Sequence, residues 1–98
     1  MMTNVEIKYE FSKSLKTTFR GAVLEDVEVA KDPMLPTYIR IRVTYWHLEA
    51  KNTLSQIVSI SLSELESSVC PRILRRRAIQ MMHQFRMAGK AETVKLRV

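Results

Sequence analysis

Cysteine is nearly absent from this 98-residue chain: Cys70 is the only one. That excludes an intramolecular disulfide and any zinc site built from the cysteines of one chain, and it points to a reducing compartment. Glycine is almost as scarce, with two residues, and proline contributes three. With 46% apolar and 27% charged residues, this composition excludes a low-complexity or disordered chain and fits one globular domain over residues 1–98. No apolar run reaches even half of the ~18 residues that a membrane span needs. The start, Met1 to Lys8, lacks a cationic region followed by an apolar block, so no secretory signal is expected and cytoplasm is the expected location. Also missing are a phosphate-cradling glycine loop, a nucleophile elbow and an arguable pair of carboxylates. The defining residues of helix-turn-helix, cold-shock, RNA-recognition and KH modules are not present either. These absences predict a non-catalytic protein without a cofactor or a metal.

The most informative absence is local. Between Ser67 and Ala91 there is no carboxylate, yet this segment holds six cations: Arg72, Arg75, Arg76, Arg77, Arg86 and Lys90. The other ten cations are balanced by the ten acids of the chain, so the whole net charge of +6 belongs to one stretch. Such an asymmetry concerns partners and solubility rather than fold.

The hydrophobic pattern predicts an α+β fold. Residues 4–11 alternate, with Val5, Ile7, Tyr9 and Phe11 on one side, which predicts a strand with one buried face. Residues 17–30 again favour strand, with Phe19, Val23, Val27 and Val29 sharing a parity and Glu25-Asp26 predicting a bulge. Lys31 to Pro36 reads as a loop because its two prolines supply no backbone donor. Residues 37–49 are the strongest strand, with Ile39, Ile41, Val43 and Tyr45 opposite Tyr38, Arg40, Arg42, Thr44 and Trp46. A turn at Ala50-Lys51-Asn52, with Asn52 suited to the left-handed region, leads into a strand over 53–62, which makes a hairpin. The period then changes. Ser61-x-x-Glu64 and Ser63-x-x-Glu66 both fit a capping box, and a short turn at 63–67 precedes a helix over about 69–88. Ser68 caps this helix, Pro71 sits in its first turn and Gly89 falls just past its end. Leu74, Ala78, Met81, Phe85 and Ala88 form its apolar stripe. Val94, Leu96 and Val98 predict a short final strand. The expected architecture is an antiparallel meander of four or five strands with one C-terminal helix packed on one face. The expected core is Val5, Ile7, Phe11, Phe19, Val23, Ile39, Ile41, Val43, Val58, Ile60, Leu74, Ala78, Met81 and Phe85.

Two surfaces are candidates for binding. On the helix, Arg72, Arg75, Arg76, Ile79, His83, Arg86 and Lys90 fall opposite the apolar stripe. A structural charged face normally mixes signs, because an acid one turn from a base contributes ~0.2–0.5 kcal/mol, and arginines at a helix start oppose the macrodipole. Giving up both terms points to an anionic partner. The alternative is a solvated face whose acids come from elsewhere, such as Glu64 and Glu66. On the sheet, Arg40, Arg42 and Trp46 with Tyr38 and Thr44 resemble the mixture of aromatics and cations that holds single-stranded nucleic acid, unless Glu6 and Glu10 on the first strand pair with them. Met81, Met82, Met87 and Ile79 suggest an adaptable protein contact, against plain core filling for the first two. Cys70 near a helix start with arginines close by resembles a low-pKa thiol, although neither His47 nor His83 is placed by the sequence to serve it, and a buried structural cysteine is the competing reading. The expected function is therefore a small basic module binding nucleic acid, RNA or DNA, through the helix arginines. Six phosphate contacts on duplex DNA would give a salt slope of about −5. The competing reading is a protein-interaction module that docks on an acidic partner or forms a homodimer.

Overall fold

The computed structural model describes residues 2–97, with side chains described through Met87. The chain runs α1 (Asn4–Lys13), β1 (Thr18–Phe19), β2 (Ala22–Lys31), β3 (Tyr38–His47), β4 (Asn52–Ser61), α2 (Leu62–Glu66) and α3 (Cys70–Arg97). The four strands form one antiparallel sheet in the order β1-β2-β3-β4, and the helices cover one face of it. An α+β meander with a C-terminal helix is thus present, as the pattern predicts.

The first element is a helix, not the strand expected over 4–11. Thr3 and Glu6 explain the start. The Glu6 amide donates to Thr3 Oγ1 at 3.2 Å and the Thr3 amide donates to Glu6 Oε1 at 3.1 Å, a complete capping box that satisfies two otherwise free donors. The Thr3 amide, and after it the Thr3 hydroxyl, hold the Glu6 carboxyl below its ordinary pKa. Ile7 and Phe11 are one helical turn apart and both are buried, whereas Val5 and Tyr9, which share their parity, are 78% and 63% exposed. Leu15, four residues beyond Phe11, continues the buried stripe past the Ser14 cap.

Between β1 and β2 the chain reverses at Arg20-Gly21, both with positive φ (49° and 79°), and Phe19 pairs with Ala22. Two consecutive left-handed residues make a type I′ turn, whose twist matches the strands it joins. The expected break at Glu25-Asp26 is a register shift between Leu24 and Asp26. It also explains Val23, expected in the core and found exposed. The extra residue reverses the side-chain parity, so Val27 and Val29 point toward the helices while Val23 points away. Asp32 folds the β2–β3 loop by accepting from the Met34 and Leu35 amides at 2.9 and 3.1 Å.

β3 and β4 pair without interruption from Tyr38↔Ser61 to His47↔Asn52. In their turn the left-handed residue is Lys51 (φ 51°), not Asn52. His47 closes the loop from both ends, its Nδ1 accepting from the Ala50 amide at 3.1 Å and its carbonyl from the Lys51 amide at 2.9 Å. Ser61 then caps α2, its Oγ accepting from the Glu64 amide at 3.2 Å. At the entry to α3 it is the hydroxyl of Ser67, not Ser68, that accepts the Val69 amide. Pro71 sits in the first turn, where its missing donor costs nothing. The helix backbone runs through Gly89 to Arg97, so neither the stop at Gly89 nor a strand over residues 94–97 is found; Val98 lies outside the described residues. One interior glycine costs only about 1 kcal/mol, and Ala91, Glu92, Lys95 and Leu96 are all good helix formers.

The core is one cluster in which Ile7, Phe11 and Leu15 of the N-terminal segment meet Ala22, Val27, Ile39, Ile41, Val43, Tyr45 and Ile60 of the sheet. Leu65, Cys70, Leu74, Ala78, Met81 and Phe85 close it from α2 and α3. Phe19 and Val58 pack at its margin.

The α1 geometry separates two residues that a strand would treat alike. Phe11→Ala is expected to destabilise the fold by about 3–5 kcal/mol, and Tyr9→Ala by no more than about 1 kcal/mol. Urea denaturation of both variants checks this; equal large losses would mean that the segment is a strand with both rings buried.

Candidate functional site

α3 presents the arginines outward because its apolar stripe is fully used. Leu74, Ala78, Met81 and Phe85 are buried against the sheet and α1, so the residues half a turn away from them face solvent. Arg72, Arg75, Arg76, His83 and Arg86 are all exposed on this side. The side chain of Lys90 lies outside the described residues. Arg72 and Arg86 are 14 residues apart, which is about 21 Å along the axis.

Among the described residues, none of Arg72, Arg75, Arg76 and Arg86 forms an ion pair. Arg77 does: its guanidinium lies 3.5 Å from Glu64 Oε1, on the flank between α3 and α2. The two acids weighed as partners for this helix thus supply one contact, to the arginine that does not face outward. The basic face also carries apolar side chains. Ile79 is 58% exposed and Met87 53%, and Ile79 shares a shallow depression with Arg72, Arg75, Arg76 and Gln80. Met81 belongs to the core and Met82 packs at its edge. Val69, at the head of the helix, is a further exposed apolar residue of this side that the periodicity did not single out.

The second predicted group sits elsewhere. Arg40, Arg42 and Trp46 point to the sheet face that no helix covers, on the far side of the molecule from the α3 arginines. Glu6 and Glu10 are on α1 and do not line this face. Its acids come instead from β2 and the loop after it: Arg42 is registered against Glu28, Thr44 against Asp26, and Arg40 lies near enough to Asp32 to help lower its pKa. The larger causes of that lowering are the Met34 amide bond, the Leu35 amide and the Ser59 hydroxyl, which donates to Asp32 Oδ2 at 3.2 Å. These acids were not identifiable from strand patterns alone, because their placement depends on the register past the bulge. Neither Arg40 nor Arg42 forms an ion pair among the described residues, but unlike the helix arginines they have acids beside them on their own face. Trp46 instead meets Val23, Leu24, Glu25 and Leu48 around a shallow groove at the bulged end.

Cys70 and the two histidines are not brought together. Cys70 is buried, its Sγ 3.4 Å from the Met2 sulfur, and burial together with the nearby Glu10 carboxylate pushes its thiol pKa up. This is the reverse of what a nucleophile requires. His47 is held in the β3–β4 turn, and His83 is exposed on α3. No helix among the described residues is long and apolar enough to cross a membrane.

No protein-family model matches the chain, and no curated protein or solved structure matches it either.

Two outcomes follow from these environments. The Cys70 thiol is expected to react with iodoacetamide at pH 8 at least about tenfold more slowly in the folded protein than in urea; equal rates would contradict its burial. Asp32 has a folded pKa below its unfolded value of about 3.9. Its contribution to stability is therefore fully present above that value and is lost as pH falls through the folded one. Thermal melts from pH 7 to pH 2.5 should show a smaller acid-induced decrease for Asp32→Asn than for the wild type.

Proposed function

We propose that this protein is a non-catalytic binding module that engages nucleic acid through the outer face of α3, using charge more than sequence readout. The observation that supports it is the uncompensated set Arg72, Arg75, Arg76 and Arg86, exposed on one face of a helix. Phosphates would supply the missing countercharge, and arginine binds them through a planar fork of donors. The face extends over about 21 Å between Arg72 and Arg86, the axial length of about six base pairs. The sheet arginines, Arg40 and Arg42, have acids beside them on the same face and contribute less to this reading, and Trp46 lines a groove with Val23, Leu24, Glu25 and Leu48.

A second reading has its own support. Ile79 and Met87 lie exposed among the arginines, and a phosphate backbone gains little from them. An acidic protein with an apolar groove would use both kinds of side chain, since arginine and apolar anchors cooperate at protein hot spots.

Fluorescence anisotropy with single-stranded RNA, single-stranded DNA and duplex DNA at two salt concentrations distinguishes the two. If all four exposed arginines contact phosphates on a duplex, log affinity should fall with log salt at a slope of about −3.6. The Arg72/Arg75/Arg76→Glu variant, verified as folded by circular dichroism, should lose the binding, and Ile79→Ser should keep it within about twofold. Absence of binding to all three probes at low salt sinks the nucleic-acid reading and leaves the acidic-protein partner.

A further inference from the structure

The two edges of the sheet are treated differently. β2 has Glu25, Asp26, Glu28 and Lys31, a register shift next to Glu25, β1 paired at its start, and α1 crossing beside Asp26–Val29. These are the devices by which proteins keep an edge from pairing with another chain. β4, although α2 and α3 pack against it, lacks the charges, the bulge and a strand paired outside it. Its ten residues, Asn52 to Ser61, include no charge and no proline, and it pairs with β3 without a bulge. Among the described residues no strand lies beyond it.

The backbone orientation of β4 can be read from one bond. The Leu62 amide donates to the Thr37 carbonyl at 2.9 Å, one step past Tyr38↔Ser61, so the even-numbered residues of β4 direct their backbone groups toward β3. Thr53, Ser55, Ile57, Ser59 and Ser61 therefore direct theirs to the open edge. The same odd residues lie on the uncovered sheet face. The hydroxyls of Ser55 and Ser59 are turned inward to Thr44 at 2.9 Å and to Asp32 at 3.2 Å, and Ile57 stands between them, 45% exposed.

We propose that β4 pairs antiparallel with β4 of a second copy of this chain, with Ile57 on the two-fold axis. In this register Ile57 meets Ile57 of the second copy, Ser55 meets Ser59, and Thr53 meets Ser61. On the covered face Gln56 meets Val58 and Leu54 meets Ile60. Each free amide and carbonyl of the odd residues gains a backbone partner, and the exposed isoleucines cover each other. A contact along β4 places no like charges in register, whereas a contact through the α3 faces would. The chain carries +6, the α3 faces repel one another, and β4 is uncharged. A two-fold axis perpendicular to the sheet also places both α3 layers on the same side of an eight-stranded sheet. The inference does not depend on the nucleic-acid reading and is tested without any ligand.

Sedimentation equilibrium of the full chain should show a dimer, and Ile57→Lys should weaken it by at least tenfold through two like charges on the axis. Ser55→Pro removes a donor that faces the open edge and none that faces β3, so it should weaken the dimer similarly. Cysteine substitution tests the register. At a hydrogen-bonded pair the Cα atoms lie about 5.5 Å apart, within disulfide reach. Ile57→Cys should therefore form a covalent dimer on oxidation. Thr53→Cys should not, because its two copies lie about 27 Å apart along the strands. A wild type that stays monomeric at 100-fold dilution above and below about 10 μM, with Ile57→Cys uncrosslinked, overturns the proposal. So does a dimer that Ile57→Lys and Ser55→Pro leave intact, or equal crosslinking at 53 and 57.

Discussion

Tyr45 is the side chain on which the two layers converge. It is buried on β3, and its ring meets Phe85 of α3 edge-on at 4.9 Å and Phe19 of β1 at 6.4 Å. Its hydroxyl donates to the Lys16 carbonyl and lies 3.2 Å from the Met82 sulfur. One residue thus joins the central strand, the long helix, the short edge strand and the connection after α1. A buried phenol without a partner would cost about 1–3 kcal/mol, so the carbonyl of Lys16 is what permits a tyrosine here at all. Burial raises the phenol pKa, which keeps it a donor under ordinary conditions.

Because α3 is held by that contact and by Leu74, Ala78 and Met81, its rotation about its own axis is determined, and the direction of its arginines follows. Arg77 falls on the flank and is neutralised by Glu64, while its neighbours Arg75 and Arg76 face water. The sheet arginines show the opposite arrangement. Arg42 stands opposite Glu28, and Arg40 is close to Asp32. Arginines with acids beside them and arginines without thus lie on opposite sides of the protein. Arginines without acids give up the helix stability that acids one turn away would contribute, which is why the proposed function rests on α3 and not on the sheet.

Much of this was legible in the sequence, and the exceptions have physical causes. Residues 37–62 show alternation long enough to admit only strands, and Leu74, Ala78, Met81 and Phe85 admit only a helix. Over residues 4–11 the two periods coincide, since Ile7 and Phe11 differ by four, an even number and also one helical turn. Only Val5 and Tyr9 distinguish them, and both are apolar residues that the structure leaves in water. Thr3-x-x-Glu6 was the deciding signal, together with Leu15 one further turn on. Val23 was misplaced because a bulge reverses parity, which a pattern of alternation cannot show even where the bulge itself is anticipated. For the site, the exposure of the helix arginines was legible from phase. The acids beside Arg40 and Arg42 were not, because pairing across strands depends on a register that no local pattern contains.

The meander joins each strand to its neighbour in sequence, whereas α1 reaches its partner α3 only across the whole sheet. During synthesis, the strands emerge and can pair while the surface formed by Ile39, Ile41, Val43 and Tyr45 still lacks half of its cover. Ile7 and Phe11 wait on a helix that the ribosome has not yet released. The nascent chain therefore passes through an interval with a formed but uncapped apolar sheet, the kind of species that aggregates or recruits chaperones. Its closing step is the arrival of α3.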